Sequence, residues 1–137
     1  WDLYGGVGLF VPALAAAVQG KVISVDYSPA ATAAEQPCLA DCDVELKSAK
    51  VEQVAAQLPK PGAVVLDPPR TGAGKDVIRS VAAAAPQTVV HVGCDPATFA
   101  RDLHYWDEHG YGIEKMALIN AFPGTHHFET IALITPA

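Results

Sequence analysis

Residues 2–26, DLYGGVGLFVPALAAAVQGKVISVD, decide the fold. A short apolar run, Trp1 to Leu3, meets a turn with glycines at positions 5, 6 and 8. An alanine-rich stretch of helical length, Leu9 to Val18, follows, and the β-branched run Val22 to Asp26 completes the unit. A period that switches from strand to helix and back marks a strand–helix–strand unit. Its two strands must be parallel, because the helical crossover carries the chain back to the edge from which it started.

The same alternation continues outward. Strands are expected near Val44 to Leu46, Ala63 to Asp67 and Thr88 to Val92. Helices are expected near Ala30 to Glu35, Val51 to Leu58, Lys75 to Ala84 and Pro96 to His109. The end of the chain breaks the rule: Ile113 to Asn120 and Phe128 to Thr135 are both strand-like, with only a Pro123-Gly124 turn between them. With no room for a helix they must pair antiparallel. The expected class is therefore α/β, a Rossmann-like and mostly parallel sheet closed by an antiparallel C-terminal hairpin. Pro59 to Gly62 reads as a turn, and no repeat or low-complexity tract interrupts the chain.

At 137 residues, half of them hydrophobic, the chain can bury one sizeable core, so residues 1–137 are expected to form one domain. No apolar run approaches the roughly 18 residues needed to cross a bilayer, and no membrane partner is expected. Cys38, Cys42 and Cys94 are an odd number without a CxxC pair, which suggests neither a disulfide framework nor a zinc knuckle and fits a reducing cytoplasm. Fifteen acidic against nine basic residues leave a net charge of -6, opposite to the footprint of a protein that grips phosphates unaided. The chain also opens on Trp1-Asp2-Leu3, which reads as the inside of a strand, so it is expected to be a fragment of a longer protein.

Glycines between a strand and a helix let the backbone approach a ligand that the helix N-terminus faces. The same turn can also serve only to pack a helix on a strand. Asp26 ends the next strand, where an acid accepts hydrogen bonds from ribose hydroxyls, although a plain capping or solvated role fits it too. The glycine spacing departs from the GxGxxG of dehydrogenases.

Three further segments crowd the same edge of the sheet. Asp67-Pro68-Pro69-Arg70 follows the fourth strand; its prolines fix the backbone while an acid and a base point outward, unless it is a rigid turn with a surface ion pair. The fifth strand runs into Cys94, just before a helix whose dipole favours a thiolate, though a lone cysteine there is often a small buried hydrophobe. Glu129, between Phe128 and Thr130 and close to Ile131, enters the last strand. A carboxylate among apolar neighbours suits a general base, and an edge glutamate facing water is the alternative. His126, His127 and Cys94 lack a metal-binding spacing, and no metal is expected.

Taken together, DLYGGVGLF (2–10), LDPPRTGAG (66–74), VGCDPATFARDL (92–103) and FPGTHHFETIALI (122–134) closely resemble, in this order, the catalytic domain of the RNA uridine-5 methyltransferase family. The last two motifs are the specific ones: the analogous cysteine of DNA cytosine-5 methyltransferases follows a proline, and amine-directed methyltransferases carry an NPPY-like motif and need no cysteine. The resemblance implies a class I methyltransferase sheet, S-adenosyl-L-methionine as cofactor, and a transfer or ribosomal RNA as substrate. It makes Cys94 the nucleophile and Glu129 the base. It makes Asp26 the ribose contact, Tyr4, Gly6 and Gly8 the methionine-side loop, and Asp67 the lining where cofactor and target base meet. The family's RNA-binding domains and its glutamine-bearing cofactor motif would lie upstream of Trp1.

Three positions depart from the family pattern: Gly5 where many relatives have cysteine, Gly93 where serine or alanine is usual, and Gly124 where histidine is common. The stretch from Ser28 to Lys50 is shorter than usual, so no adenine contact is carried over there. A small-molecule methyltransferase, a non-catalytic module that keeps the fold, and a nicotinamide dehydrogenase are the competing readings. The first leaves the pairing of Cys94 with Glu129 without a purpose, the second the intact cysteine, glutamate and DPPR motif, and the third the CDP and THHFE motifs.

Overall fold

The computed structural model describes residues 1–18, 20–28 and 36–137. In chain order the elements are β1 (Asp2–Leu3), α1 (Val11–Ala17), β2 (Val22–Asp26), β3 (Val44–Ser48), α2 (Val51–Val54), β4 (Ala63–Leu66), α3 (Gly74–Ala83), β5 (Thr88–Gly93), α4 (Pro96–Glu108), β6 (Tyr111–Ile119) and β7 (Glu129–Pro136). Single 3-10 turns occupy Pro37–Leu39 and Ala55–Gln57. The expected helix from Ala30 to Glu35 lies outside the described residues.

Among the described residues the strands form one seven-stranded sheet in the order β3-β2-β1-β4-β5-β7-β6. The first five are parallel to one another, and the terminal hairpin is antiparallel, as the missing helix between its strands requires. β7 inserts between β5 and β6, so the last strand of the chain lies inside the sheet. A bulge between Ile113 and Lys115 adjusts the register of the outer pair.

Alternation along the strands sorts their side chains onto two faces. Leu3, Ile23, Val25, Val64, Leu66, Val89 and Ile134 join the main core, under Val77, Ile78 and Val81 of α3 and Phe99 and Trp106 of α4. Val22 and Val65, one residue out of phase, pack instead with Val11 and Leu14 of α1 and with Leu39. No described helix is long and apolar enough to cross a membrane.

Two helices differ from expectation for local reasons. α1 begins at Val11 rather than Leu9, because Gly8 sits in the left-handed region (φ 82°) and Pro12 occupies the first helical turn. The second is α2, which tightens after one turn into the 3-10 segment Ala55–Gln57 and ends where Leu58 turns extended before Pro59.

The main core contains a polar pair. His91 of β5 is 1% exposed, and its Nδ1 accepts a hydrogen bond from Trp106 Nε1 at 2.9 Å. The ring proton therefore belongs on Nε2, which lies 3.7 Å from Asp102 Oδ2. Burial pushes the imidazole down from its ordinary 6.5 to about 4, against the pull of the Asp102 carboxylate. The unfolded chain thus takes up a proton that the folded chain refuses. The resulting stability is fully present above about pH 6.5 and is lost as pH falls toward 4. Denaturant unfolding at pH 7 and pH 5 should show the wild type losing more stability over this interval than His91→Gln. Equal losses would remove His91 as the cause.

Candidate active site

The site is assembled along the C-terminal edge of the parallel strands, where loops leave β1, β2, β4 and β5 side by side. After β1 the chain folds tightly back: Gly5 N donates to Val25 O (3.0 Å), Gly8 N to Gly5 O (2.8 Å) and Val11 N to Gly8 O (3.1 Å). This winding needs left-handed backbone at Tyr4, Gly6 and Gly8. Tyr4 tolerates it because its ring packs against the core and its hydroxyl donates to Glu52 Oε1 at 3.1 Å. Burial, followed by the Glu52 charge, raises that hydroxyl above its usual range.

Asp26 ties this loop to β2. One carboxylate oxygen accepts Gly6 N at 3.0 Å and the other accepts Ser28 N at 2.6 Å. Among the described residues a Cβ placed on Gly6 would meet nothing within 4 Å, whereas one on Gly8 would lie 2.9 Å from Leu39 Cδ1. Among the described residues the loop is closed beneath by Leu39 and open over Gly6, and Asp26 is held beside that opening.

Beneath the loop Asp2 is buried, with one oxygen accepting from Ser24 Oγ at 2.8 Å. These two groups occupy the space that a side chain at position 5 would need. Gly5 is therefore the residue that fits the Asp2–Ser24 pair.

β4 lies between β1 and β5, so Asp67, one residue beyond its end, stands between the glycine loop and Cys94. Its carboxyl is raised by burial first, then by the charges of Glu129 and Asp2 on its two sides. Asp67 N also donates to Leu3 O at 3.3 Å, which ties the start of this loop to the end of β1.

Cys94 and Glu129 are brought together by register. β5 and β7 pair with Gly93 opposite Thr130, and continuing that antiparallel ladder by one residue sets Cys94 opposite Glu129. Both residues are partly buried, and they line a cavity of about 240 Å³ with Arg70, Phe122, His127 and Phe128. Arg70 Nη2 lies 3.1 Å from His127 Nδ1 across it. Next to Cys94, Asp95 caps α4 by accepting Thr98 N at 2.9 Å, a bond that holds its carboxyl below the usual range. Two other histidines lie away from the cavity: His104 approaches Glu108, and His109 meets the Tyr105 carbonyl.

Gly93 also has a physical reason. The ring of Phe99, one turn into α4, occupies the space where a Cβ at position 93 would stand. Gly93→Ala is expected to cost about 1–3 kcal/mol in equilibrium unfolding, as overpacking does. The smaller Phe99→Leu in the same chain should recover part of that loss, and a neutral Gly93→Ala would contradict the account.

Sequence reading had not assigned Phe122, His127 or Phe128 to the cavity wall, and it had missed the His91–Asp102–Trp106 cluster. The one signal for the latter is Asp102 itself, a charge on the stripe of α4 shared with Phe99 and Trp106.

A family model described as tRNA (Uracil-5-)-methyltransferase matches residues 45–136. Among curated proteins, an uncharacterized RNA methyltransferase of Corynebacterium glutamicum is 56% identical over 133 residues, covering 97% of this chain and 32% of that protein. Another, from Streptomyces coelicolor, is 39% identical over 144 residues, covering 99% and 31%. The chain thus spans about a third of the length of the curated relatives it matches. Among solved structures, the tRNA (uracil-54, C5)-methyltransferase of Pyrococcus abyssi, in complex with S-adenosyl-L-homocysteine, superposes with a TM-score of 0.79 at 28% identity. That match covers 98% of this chain and 33% of that one. A precorrin-6y C5,15-methyltransferase of Geobacter metallireducens, at 16% identity and a TM-score of 0.77, shares the fold over 100% of this chain and 78% of its own. With the family model spanning most of a sheet whose edge carries the glycine loop and the Cys94–Glu129 pair, the chain belongs to the tRNA (uracil-5-)-methyltransferase family.

Proposed function

We propose that residues 1–137 are the catalytic domain of a longer protein that transfers a methyl group from S-adenosyl-L-methionine to carbon 5 of a uridine in transfer or ribosomal RNA. The observation that carries this reading is the β5–β7 register, which sets a cysteine and a glutamate against each other in one cavity at the sheet edge that also carries the glycine loop. A thiol and a carboxylate so opposed suit a reaction that needs a nucleophile and a base on the same ring.

Tyr4, Gly6, Gly8 and Asp26 would hold the cofactor, and the open space over Gly6 with a carboxylate at its rim fits that use. S-adenosyl-L-methionine supplies an electrophilic methyl group. Asp67 would line the boundary between cofactor and base.

Carbon 5 of uracil is a poor nucleophile. In the proposed reaction the Cys94 thiolate adds to carbon 6, and the electron pair displaced onto the ring makes carbon 5 reactive. Carbon 5 then takes the methyl group. Glu129 removes the remaining carbon 5 proton, and the electrons of that C–H bond re-form the ring double bond as the Cys94–carbon 6 bond breaks. Phe122 and Phe128, which line the cavity, would pack against a base that has left its stack. The acidic balance of this chain suits RNA binding by other parts of the protein.

The test uses the full-length parent, RNA tritiated at uridine carbon 5, and cofactor labelled in the methyl group. One tritium should be released for every methyl transferred. Methyl transfer without tritium release would mean attack at another atom and would overturn the carbon 5 assignment.

A further inference from the structure

The loop that carries Arg70 into the cavity is held from behind by one face of α4. Thr98 Oγ1 donates to Arg70 O at 2.8 Å. One turn later, Arg101 Nη2 donates to Thr71 O at 2.7 Å and to Asp102 Oδ1 at 2.9 Å. Asp102, 0% exposed, accepts Ala73 N at 2.6 Å on Oδ2 and Gly74 N at 3.3 Å on Oδ1. Gly72 lies against the same groups: a Cβ there would stand 2.5 Å from Arg101 Nη2 and 2.6 Å from Asp102 Oδ2, on a backbone with φ +79°.

Capping α3 is the simplest use of Asp102, since that helix has no side-chain cap of its own. A local serine or aspartate would do this without burying a charge under two helices, which is costly unless the charge is well paired. Asp102 lies instead on the helix that starts two residues after Cys94, so its bonds join that helix to the loop bearing Asp67 and Arg70. Trp106, one turn further along α4, holds His91 with its Nε2 toward the same carboxylate.

We infer that Asp102, with Thr98 and Arg101, is a positioning residue for the reaction: it fixes the 70–74 loop to α4 so that Arg70 and Cys94 keep one geometry. This inference rests on the proposed function, because the geometry it preserves is that of adduct formation.

The experiment follows covalent adduct formation by the full-length parent on RNA carrying 5-fluorouridine, with Asp102→Asn and Thr98→Val as variants. The amplitude titrates competent enzyme, and the rate constant reports geometry in each competent site. A purely structural role would lower the amplitude alone. The rate constant should fall on the order of tenfold or more in Asp102→Asn and about threefold in Thr98→Val, with cofactor affinity within about twofold of wild type. Thr98→Val is isosteric and keeps the backbone cap to Asp95, so it decides the matter if Asp102→Asn fails to fold. Tryptic cleavage after Arg70 should also quicken in both variants.

Unchanged rate constants in folded variants would overturn the inference, even if cleavage quickened. Wild type forming no adduct would instead sink the carbon 5 reading. In that case unchanged cleavage at Arg70 would overturn the clamp separately.

Discussion

Replacing Cys94 by alanine in the full-length parent is expected to abolish the covalent band on RNA carrying 5-fluorouridine and to lower turnover by at least about 10⁴-fold. Fluorine cannot leave as a proton, so a wild-type adduct that has been methylated stays trapped, and a denaturing gel resolves it. The other polar residues lining the cavity are Arg70, His127 and Glu129, none of which carries a thiol. Cys94 is only partly buried and, among the described residues, its thiol makes no hydrogen bond, so its loss should shift stability by less than about 1 kcal/mol. Cofactor affinity should also be kept, since Asp26 and the glycine loop belong to β1 and β2 on the other side of β4. A variant that retains a covalent band would show that the nucleophile is elsewhere. One that loses the band but keeps near-normal methylation would show that no covalent step is needed.

The parallel core was legible because strands and helices announce themselves by period, and among the described residues the observed boundaries lie within a few residues of those expected. The antiparallel hairpin was legible from the shortness of its turn. What a one-dimensional pattern does not carry is strand order. Nothing in Ile113 to Thr135 says that β7 rather than β6 pairs with β5, yet that choice sets Cys94 opposite Glu129. The two residues were readable as motifs, and their juxtaposition belongs to the register.

The departures from the family pattern make the same point from the other side. Gly5 and Gly93 read as losses until Ser24 with Asp2, and the ring of Phe99, are seen to fill the vacated space. The third, Gly124, sits in a turn at φ +79°, a conformation that suits glycine, and among the described residues a Cβ there would meet nothing within 4 Å. Asp102 stayed hidden for a related reason: a charge in an amphipathic helix is ordinarily read as facing solvent, and only the return of residues 70–74 over α4 turns it inward.

Glu129→Gln should separate the two halves of the reaction. With ordinary uridine RNA, adduct formation and methyl transfer need Cys94 and the cofactor, whereas removal of the carbon 5 proton needs the base. The variant should therefore accumulate a covalent RNA adduct one methyl group heavier than the simple addition product, and turnover should fall by about 10²–10⁴-fold. Mass analysis of the trapped cysteine peptide checks this. Asp67 is the rival base, since burial and the charges of Glu129 and Asp2 keep its carboxyl raised. If Asp67 took the proton, Glu129→Gln would turn over without a trapped adduct. If Glu129 acted earlier, in orienting the base for attack, the variant would lose activity and form no covalent species. Only a base acting last leaves a methylated adduct behind.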